Sequence, residues 1–279
     1  MLAGLYLTAA KCWSFSPFQP MAQMHAHAHA AFIGFFLMMI VGVSYKLVPM
    51  FTLSDVQNTK RAAWSIGLLN VGLAGLFVTV LLQSALKPVF AAVVAGGLAV
   101  YGWEMRAILR ARLRRELDWG IKAFLLALSL LAPVTGLGLF LAWPGVALNE
   151  FTGQMENLYG FLALLGVVTL AILGMLFKIM PFLVWYAVYS RQIGRCKVPS
   201  LADLYSARLQ VAGFGSYLAA LVVTNVGIVM MNEKVCLAGA VLLAASLLFF
   251  AVNMAKILSH LFRPCLQPLV LKPHLKPSA

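Results

Sequence analysis

Long apolar runs separated by short polar segments dominate the pattern of this chain. Seven runs are long enough to cross a bilayer as helices, which requires about 20 residues each. We name them spans A to G, and they cover approximately Ala26–Met50, Ala63–Leu86, Val89–Leu109, Ile121–Trp143, Leu158–Ala187, Leu209–Met231 and Val235–Ser259. Met1–Ala10 is also apolar, but it is too short to span and lacks the basic start of a signal peptide. The pattern predicts an all-α, polytopic membrane protein with seven full transmembrane helices and a partial N-terminal helix.

Composition supports a membrane environment. Of the 279 residues, 62% are hydrophobic and only 10% are charged, whereas a soluble domain carries about 25% charged residues. A lipid bilayer is therefore the expected partner. The net charge of +13 comes mainly from basic residues between the spans, so it indicates membrane topology rather than nucleic-acid binding. The four cysteines form no CxxC pair, which predicts neither a zinc site nor a disulfide framework.

Lysine and arginine are distributed unevenly between the two sides of the predicted bundle. One side collects the basic residues that follow spans A, C and E and those of the C-terminal tail, while the other side receives only Lys11, Lys87 and Lys234. Basic loops face the cytoplasm in membrane proteins. We therefore expect a multi-pass protein of the cell inner membrane with a cytoplasmic C-terminus and with the start of span A on the outer side.

The sequence resembles itself at an offset of 132 residues, which separates Gly34 from Gly166 and Pro49 from Pro181. Both copies share the skeleton G-x7-G-x3-K-x2-P. Such self-similarity is the signature of a repeat. The repeat predicts two four-helix units, residues 1–120 and 121–279, which are parallel because an even number of spans returns the chain to the same side.

The first unit is expected to lack part of its first helix. Ile121, where span D begins, corresponds at the same offset to a position before Met1. Two explanations stay open at this stage: a truncated or misassigned N-terminus, or a genuine half-span at Met1–Ala10.

The most unusual polar stretch lies at the outer end of span A and contains Met21, Met24, His25, His27 and His29. His25 and His29 share a helical face, whereas His27 lies about 160–200° away at about 100° per residue. A regular helix therefore cannot direct all three imidazoles at one metal. Imidazole ligates haem iron, copper or zinc, and imidazole with thioether sulfur suits copper. We take His25, His27 and His29 as candidate cofactor ligands, and His25, His29, Met21 and Met24 as candidate metal ligands. The alternative is a polar helix start that hydrogen-bonds to loops or lipid.

Several activities lack the residues they need. All eight acidic residues lie in predicted loops or near helix ends, away from the mid-membrane positions that cation-coupled pumps use. The chain contains no nucleotide-binding loop, no HExxH and no GxSxG. These absences disfavour a hydrolase, a kinase or an energised pump.

The segment His25–Leu53, HAHAHAAFIGFFLMMIVGVSYKLVPMFTL, resembles the second helix of haem-copper oxidase subunit I. The segment Leu158–Leu204, with GMLFKIMPFLVWY and VPSLADLY, resembles the second half of short, divergent subunit I-like proteins. The resemblance implies arcs of four helices and a b-type haem ligated by one of His25, His27 or His29. The family's copper-site histidines have no counterpart here, so the resemblance does not imply oxygen reduction.

Residues and resemblance together predict a haem- or copper-binding membrane protein that acts in respiratory electron transfer or metal handling. Its expected partners are other respiratory-complex subunits or further copies of itself. A second axial haem ligand would come from Met155 or from another chain. Two alternatives remain: a transporter or channel for a metal or small solute with an outer His/Met entry site, and a structural subunit without a cofactor.

Overall fold

The fold is known from a computed structural model, which describes residues 2–13, 17–55, 57–147, 149–265 and 267–268. Most of these residues are helical. The expected basic C-terminal tail, residues 269–279, lies outside the described residues.

The described helices are numbered α1 to α11 in chain order. We call the part of the chain before Trp119 the first unit; it contains α1 Leu2–Trp13, α2 Pro20–His29, α3 Met38–Thr52, α4 Thr59–Leu81 and α5 Lys87–Arg110. We call the part from Trp119 onward the second unit; it contains α6 Trp119–Ser129, α7 Leu131–Ala142, α8 Glu150–Phe161, α9 Leu170–Tyr189, α10 Ala207–Val229 and α11 Glu233–Phe262. Short 3-10 helices form at Ser190–Gln192 and Leu201–Leu204, and β1 Cys196–Lys197 pairs antiparallel with β2 Gln267–Pro268.

Seven helical stretches of the described residues are long and apolar enough to cross a membrane. They are Pro20–Thr52, Thr59–Leu81, Lys87–Arg110, Trp119–Ala142, Glu150–Gln192, Ala207–Val229 and Glu233–Phe262. Spans A to G are thus confirmed in number and order. Spans A and E begin earlier than predicted. Their first turns are polar, which lowers the local hydropathy and hid them from the prediction, but these turns are helical in the structure. Large apolar side chains such as Trp64 and Phe262 are exposed on the outside, as lipid contact requires.

Side-chain caps fix where most spans begin. Asn58, Asp118, Asn149, Ser206 and Asn232 each accept a hydrogen bond from a backbone N–H in the first turn of the helix that follows. Such caps satisfy donors that have no partner within the helix. The polar residues between the apolar runs therefore set where these spans begin.

The α4–α5 and α10–α11 hairpins turn in the same way. Gln83 and Met231, which are 148 residues apart, both adopt a left-handed backbone, with φ of 51° and 52°. The Ser84 N–H donates to the Thr79 carbonyl at 2.8 Å, and the N–H of Asn232 makes the equivalent bond at 3.0 Å. Both turns thus close the preceding helix with the same C-terminal hydrogen-bond motif.

Spans A and E share an uncommon interruption. A π-helical segment, Ala30–Leu37, joins α2 to α3, and another, Leu162–Thr169, joins α8 to α9. The two segments have equal length and begin 132 residues apart, which is the offset of the sequence repeat. Eight-residue π-helical segments are unusual, since π-helices mostly occur as single turns.

Aromatic pairs inside the bundle also recur between the units. The rings of Tyr45 and Tyr101 meet edge to face with centroids 5.5 Å apart, and those of Phe177 and Phe250 do the same at 5.4 Å. Edge-to-face contacts favour close packing of the spans that carry them. In both units this contact joins the long span to the last span of the unit.

The units differ at their first helix. The second unit begins with a full span, in which α6 and α7 follow one another, whereas the described helix of the first unit that precedes α2 is the 12-residue α1. Helix α6 packs tightly on α9. The approach is so close that a Cβ added at Gly174 would lie only 2.6 Å from the carbonyl oxygen of Gly120. At Gly42, the corresponding glycine of the first unit, the same Cβ would meet no atom of the described residues within 4 Å.

The bundle has two polar ends. We call the end that contains the start of α2, the start of α8 and the α4–α5 turn the histidine end, and the opposite end the basic end. At the basic end, Arg61 lies 3.1 Å from the fully buried carboxylate of Glu104, and Lys178 forms an ion pair with Asp118. Both carboxylates lie near helix ends, as the sequence predicts.

Candidate functional site

A cavity of about 500 Å³ opens between the two units near the histidine end. Its walls come from α2 and the following π-helical segment, from α4 and α5, and from α7 and α8. The volume lies within the range of about 300–1,000 Å³ that is typical of small-molecule sites. Because both units contribute walls, the cavity depends on how the units pack together.

Polar and apolar side chains occupy different depths of this cavity. The side chains toward the histidine end are Met21, His25, His29, Gln83, Lys87, Glu156 and Tyr159. Deeper in the bundle the walls are formed mainly by aliphatic and aromatic side chains, among them Phe32, Leu37, Leu76, Leu98 and Val134. The polar Thr135 also lines this part, but its hydroxyl donates to the Leu131 carbonyl at 2.6 Å. The cavity therefore suits an amphipathic molecule with its polar groups at the histidine end.

His25 and His29 line the cavity from the same face of α2. The Nδ1–H of His29 donates to the carbonyl of His25, with 2.7 Å between the two heavy atoms. Because a carbonyl can only accept, Nδ1 carries the proton, and the Nε2 atom of the neutral ring has a free lone pair. Histidine ligands of metals are commonly oriented by this kind of hydrogen bond.

Tyr159 of α8 contacts His29 across the boundary between the units. The two rings are stacked, with centroids 6.0 Å apart and an angle of 27° between their planes. This contact restricts the rotation of the imidazole that is already tied to His25. His29 is thus held by one contact on its own helix and one on the other unit.

The remaining sequence-predicted ligands lie elsewhere. His27 points away from the cavity, toward α1, where a Cβ at Gly4 would lie 3.6 Å from its Cε1 atom. Its buried Nδ1 has no hydrogen-bond partner among the residues that the structure describes. Met24 is half exposed and does not line the cavity. The prediction that one helix cannot direct all three histidines at one site is therefore confirmed. Met21, His25 and His29 line the same wall of the cavity.

The ligands for soft or borderline metals that line the cavity come from one wall. In the described part of the chain, no group of three or more His, Cys, Asp or Glu side chains is arranged to hold a metal ion. Met155 is buried but does not line the cavity. Along the cavity, the side chains that ligate soft or borderline metals are Met21, His25 and His29, all of them on α2.

Sequence reasoning missed the polar residues that face α2 across the cavity. Gln83 and Lys87 flank the α4–α5 turn, and Glu156 and Tyr159 lie in α8. The sequence contained a clue to Lys87, because it is one of the few basic residues on the outer side of the predicted topology. It also contained a clue to Tyr159, which occupies the position that corresponds to His27 in the repeat.

Comparisons with protein-family models, with curated proteins and with solved structures find no match to this chain.

Proposed function

We propose that this chain is a membrane haem protein, related to haem-copper oxidase subunit I, which holds a b-type haem in the cavity through His29 and takes part in respiratory electron transfer. The observation that carries the proposal is the position of His29. Its side chain lines a mainly apolar cavity, and its Nδ1–H is bound to the His25 carbonyl, which leaves Nε2 free to ligate iron.

The other residues of the cavity fit the same group. The deep apolar walls would exclude water from a flat, hydrophobic macrocycle, which favours its binding. Lys87 and Gln83 at the histidine end would hold the carboxylates of the haem by charge and hydrogen bonding. When bound, a haem would supply reversible one-electron transfer, and His29 of α2 would hold its iron.

Copper is the alternative cofactor, and a specific arrangement favours it. Met21, His25 and His29 recur every four residues along one face of α2, and all three line the cavity. A thioether with imidazoles suits Cu(I). The transporter alternative has less support, because the deep walls offer mainly aliphatic and aromatic side chains to a passing ion.

Visible spectroscopy with metal analysis of the purified full chain tests the proposal. We expect a Soret band and about one iron per chain, since one histidine-bearing wall lines the cavity. If the protein contained about one copper per chain and showed no Soret band, the haem proposal would be wrong and the copper alternative would take its place. A protein purified from haem-replete and copper-replete cells with neither metal would rule out both.

We also propose the orientation that the basic residues indicate, with the histidine end outside the inner membrane and the C-terminus in the cytoplasm. Alkaline phosphatase, which is active only outside the cytoplasm, is expected to be active when fused within residues 82–86 and inactive when fused within residues 111–118. A green fluorescent protein fused to the C-terminus should fluoresce. The reverse pattern of activities would overturn the orientation.

We further propose that the two four-helix units arose by duplication. The equal π-helical segments, the equal hairpin turns and the paired aromatic contacts at corresponding positions support it. An experimental structure in which spans A to C fail to superpose on spans E to G would contradict the duplication.

A further inference from the structure

One face of α3 lies open to the outside of the bundle. It consists of Met39, Gly42, Val43 and Lys46, which follow one another at spacings of three and four residues and therefore form one stripe along the helix. We call this set the α3 stripe. Met39 is 58% exposed and Val43 is 44% exposed, and Gly42 and Lys46 are also exposed.

The corresponding stripe of α9 is covered. Ala171 and Met175, at the positions of Met39 and Val43, are only 1% and 7% exposed. Gly174, at the position of Gly42, is buried. The second unit thus shows what a covered stripe of this kind looks like.

Helix α6 covers the centre of the α9 stripe at close range. A Cβ added at Gly174 would lie 2.6 Å from the Gly120 carbonyl oxygen and 3.0 Å from the Phe124 nitrogen. Such distances mean that the two backbones touch, as small residues permit between membrane helices. The glycine of this stripe therefore serves as a contact for another helix.

A charge pair closes the same contact at the basic end. Lys178 of α9 forms an ion pair with Asp118, the residue that caps the start of α6. Lys46 is the corresponding lysine of α3, and it is exposed without an ion-pair partner among the described residues. The α3 stripe thus presents both halves of a helix contact, a glycine for close approach and a lysine for a carboxylate.

We propose that the α3 stripe is the docking surface for a transmembrane helix of a partner protein, which carries small residues opposite Gly42 and a carboxylate opposite Lys46. The inference rests on the correspondence between α3 and α9 and is independent of the proposed cofactor. A second copy of this chain is a poor occupant, since two α3 stripes that meet in one membrane, both with Lys46 at the basic end, bring like charges together. A helix with an acidic residue at that end complements the stripe in shape and charge.

The test uses the α6 sequence of the chain itself as the probe. A labelled peptide of residues 116–131 is reconstituted with the labelled full chain in lipid nanodiscs, and binding is measured by energy transfer. We expect saturable binding that is roughly tenfold weaker for Gly42→Ile, because close helix packing requires small residues. Lys46→Gln should weaken binding by about threefold, in the range of a partly exposed ion pair.

Matched controls separate docking from a general effect on the protein. Gly67→Ile alters another exposed glycine, on α4, whose added Cβ would likewise meet nothing in the described part of the chain within 4 Å. This variant should leave binding unchanged. The wild-type chain should bind a peptide with Asp118→Asn about threefold more weakly than it binds the wild-type peptide. This is the same loss that is expected when the wild-type peptide is tested against the Lys46→Gln chain. The proposal is overturned if the peptide does not bind, if Gly42→Ile and Gly67→Ile bind it equally well, or if the stripe forms a homodimer that excludes it.

Discussion

His29→Ala is expected to remove the haem from the purified protein, while His27→Ala retains it. The two imidazoles lie two residues apart on one helix, but the structure separates their environments: His29 lines the cavity and His27 packs beside α1. Loss of a residue that merely orients a ligand costs about 10–100-fold in metal affinity. Loss of the ligand itself should therefore reduce haem affinity by on the order of 100-fold or more.

The measurement is the ratio of Soret to protein absorbance after purification, with iron content determined on the same samples. His27→Ala is the matched control, because it deletes the same group from the same turn of α2. His25→Ala should keep an intermediate amount of haem, since its backbone carbonyl still accepts from His29. If His27→Ala lost the haem and His29→Ala kept it, the assignment of His29 as ligand would be wrong.

The second large effect is expected at Gly174. Gly174→Leu should destabilise the protein by about 3 kcal/mol, toward the upper end of what overpacking costs. The new side chain would meet the backbone of α6, at the carbonyl of Gly120 and the N–H of Phe124. Backbone atoms cannot move aside as a flexible side chain can, so α6 would have to separate from α9.

Gly42→Leu provides the comparison, because Gly42 occupies the corresponding position on α3 and none of the described residues lies within 4 Å of its added Cβ. Away from packed contacts, substitutions usually change stability by less than about 0.5 kcal/mol. Thermal unfolding in detergent, followed by circular dichroism, compares both variants with the wild type. Equal destabilisation by the two substitutions would show that the packing difference between α3 and α9 does not exist in the folded protein.

Much of the fold was predictable because hydropathy and helical geometry are local properties. The seven spans follow from runs of apolar residues, and their order was predicted correctly. The shared face of His25 and His29, opposite His27, follows from the rotation of about 100° per residue in a helix. These features need no knowledge of which spans lie side by side.

The composition of the site was less predictable because it depends on how distant spans pack. Lys87 and Tyr159 reach the cavity from α5 and α8, and no local pattern states that these helices face α2. The π-helical segments were also missed, since the apolar residues of Ala30–Leu37 suit an α-helix equally well. Membrane spans bury small and large apolar residues on several faces, which weakens the sequence signal for neighbours.

The π-helical segment Ala30–Leu37 has a consequence for how span A can evolve. It separates the half that carries His25 and His29 from the half that carries Gly42. A π-helical turn holds about one residue more than an α-helical turn, so removing one residue from the segment would let it return to α-helical hydrogen bonding while both halves keep the faces they now present. The segment can therefore absorb a change in chain length. A deletion in a regular part of the span would instead turn everything beyond it by about 100° and move the imidazoles away from the cavity.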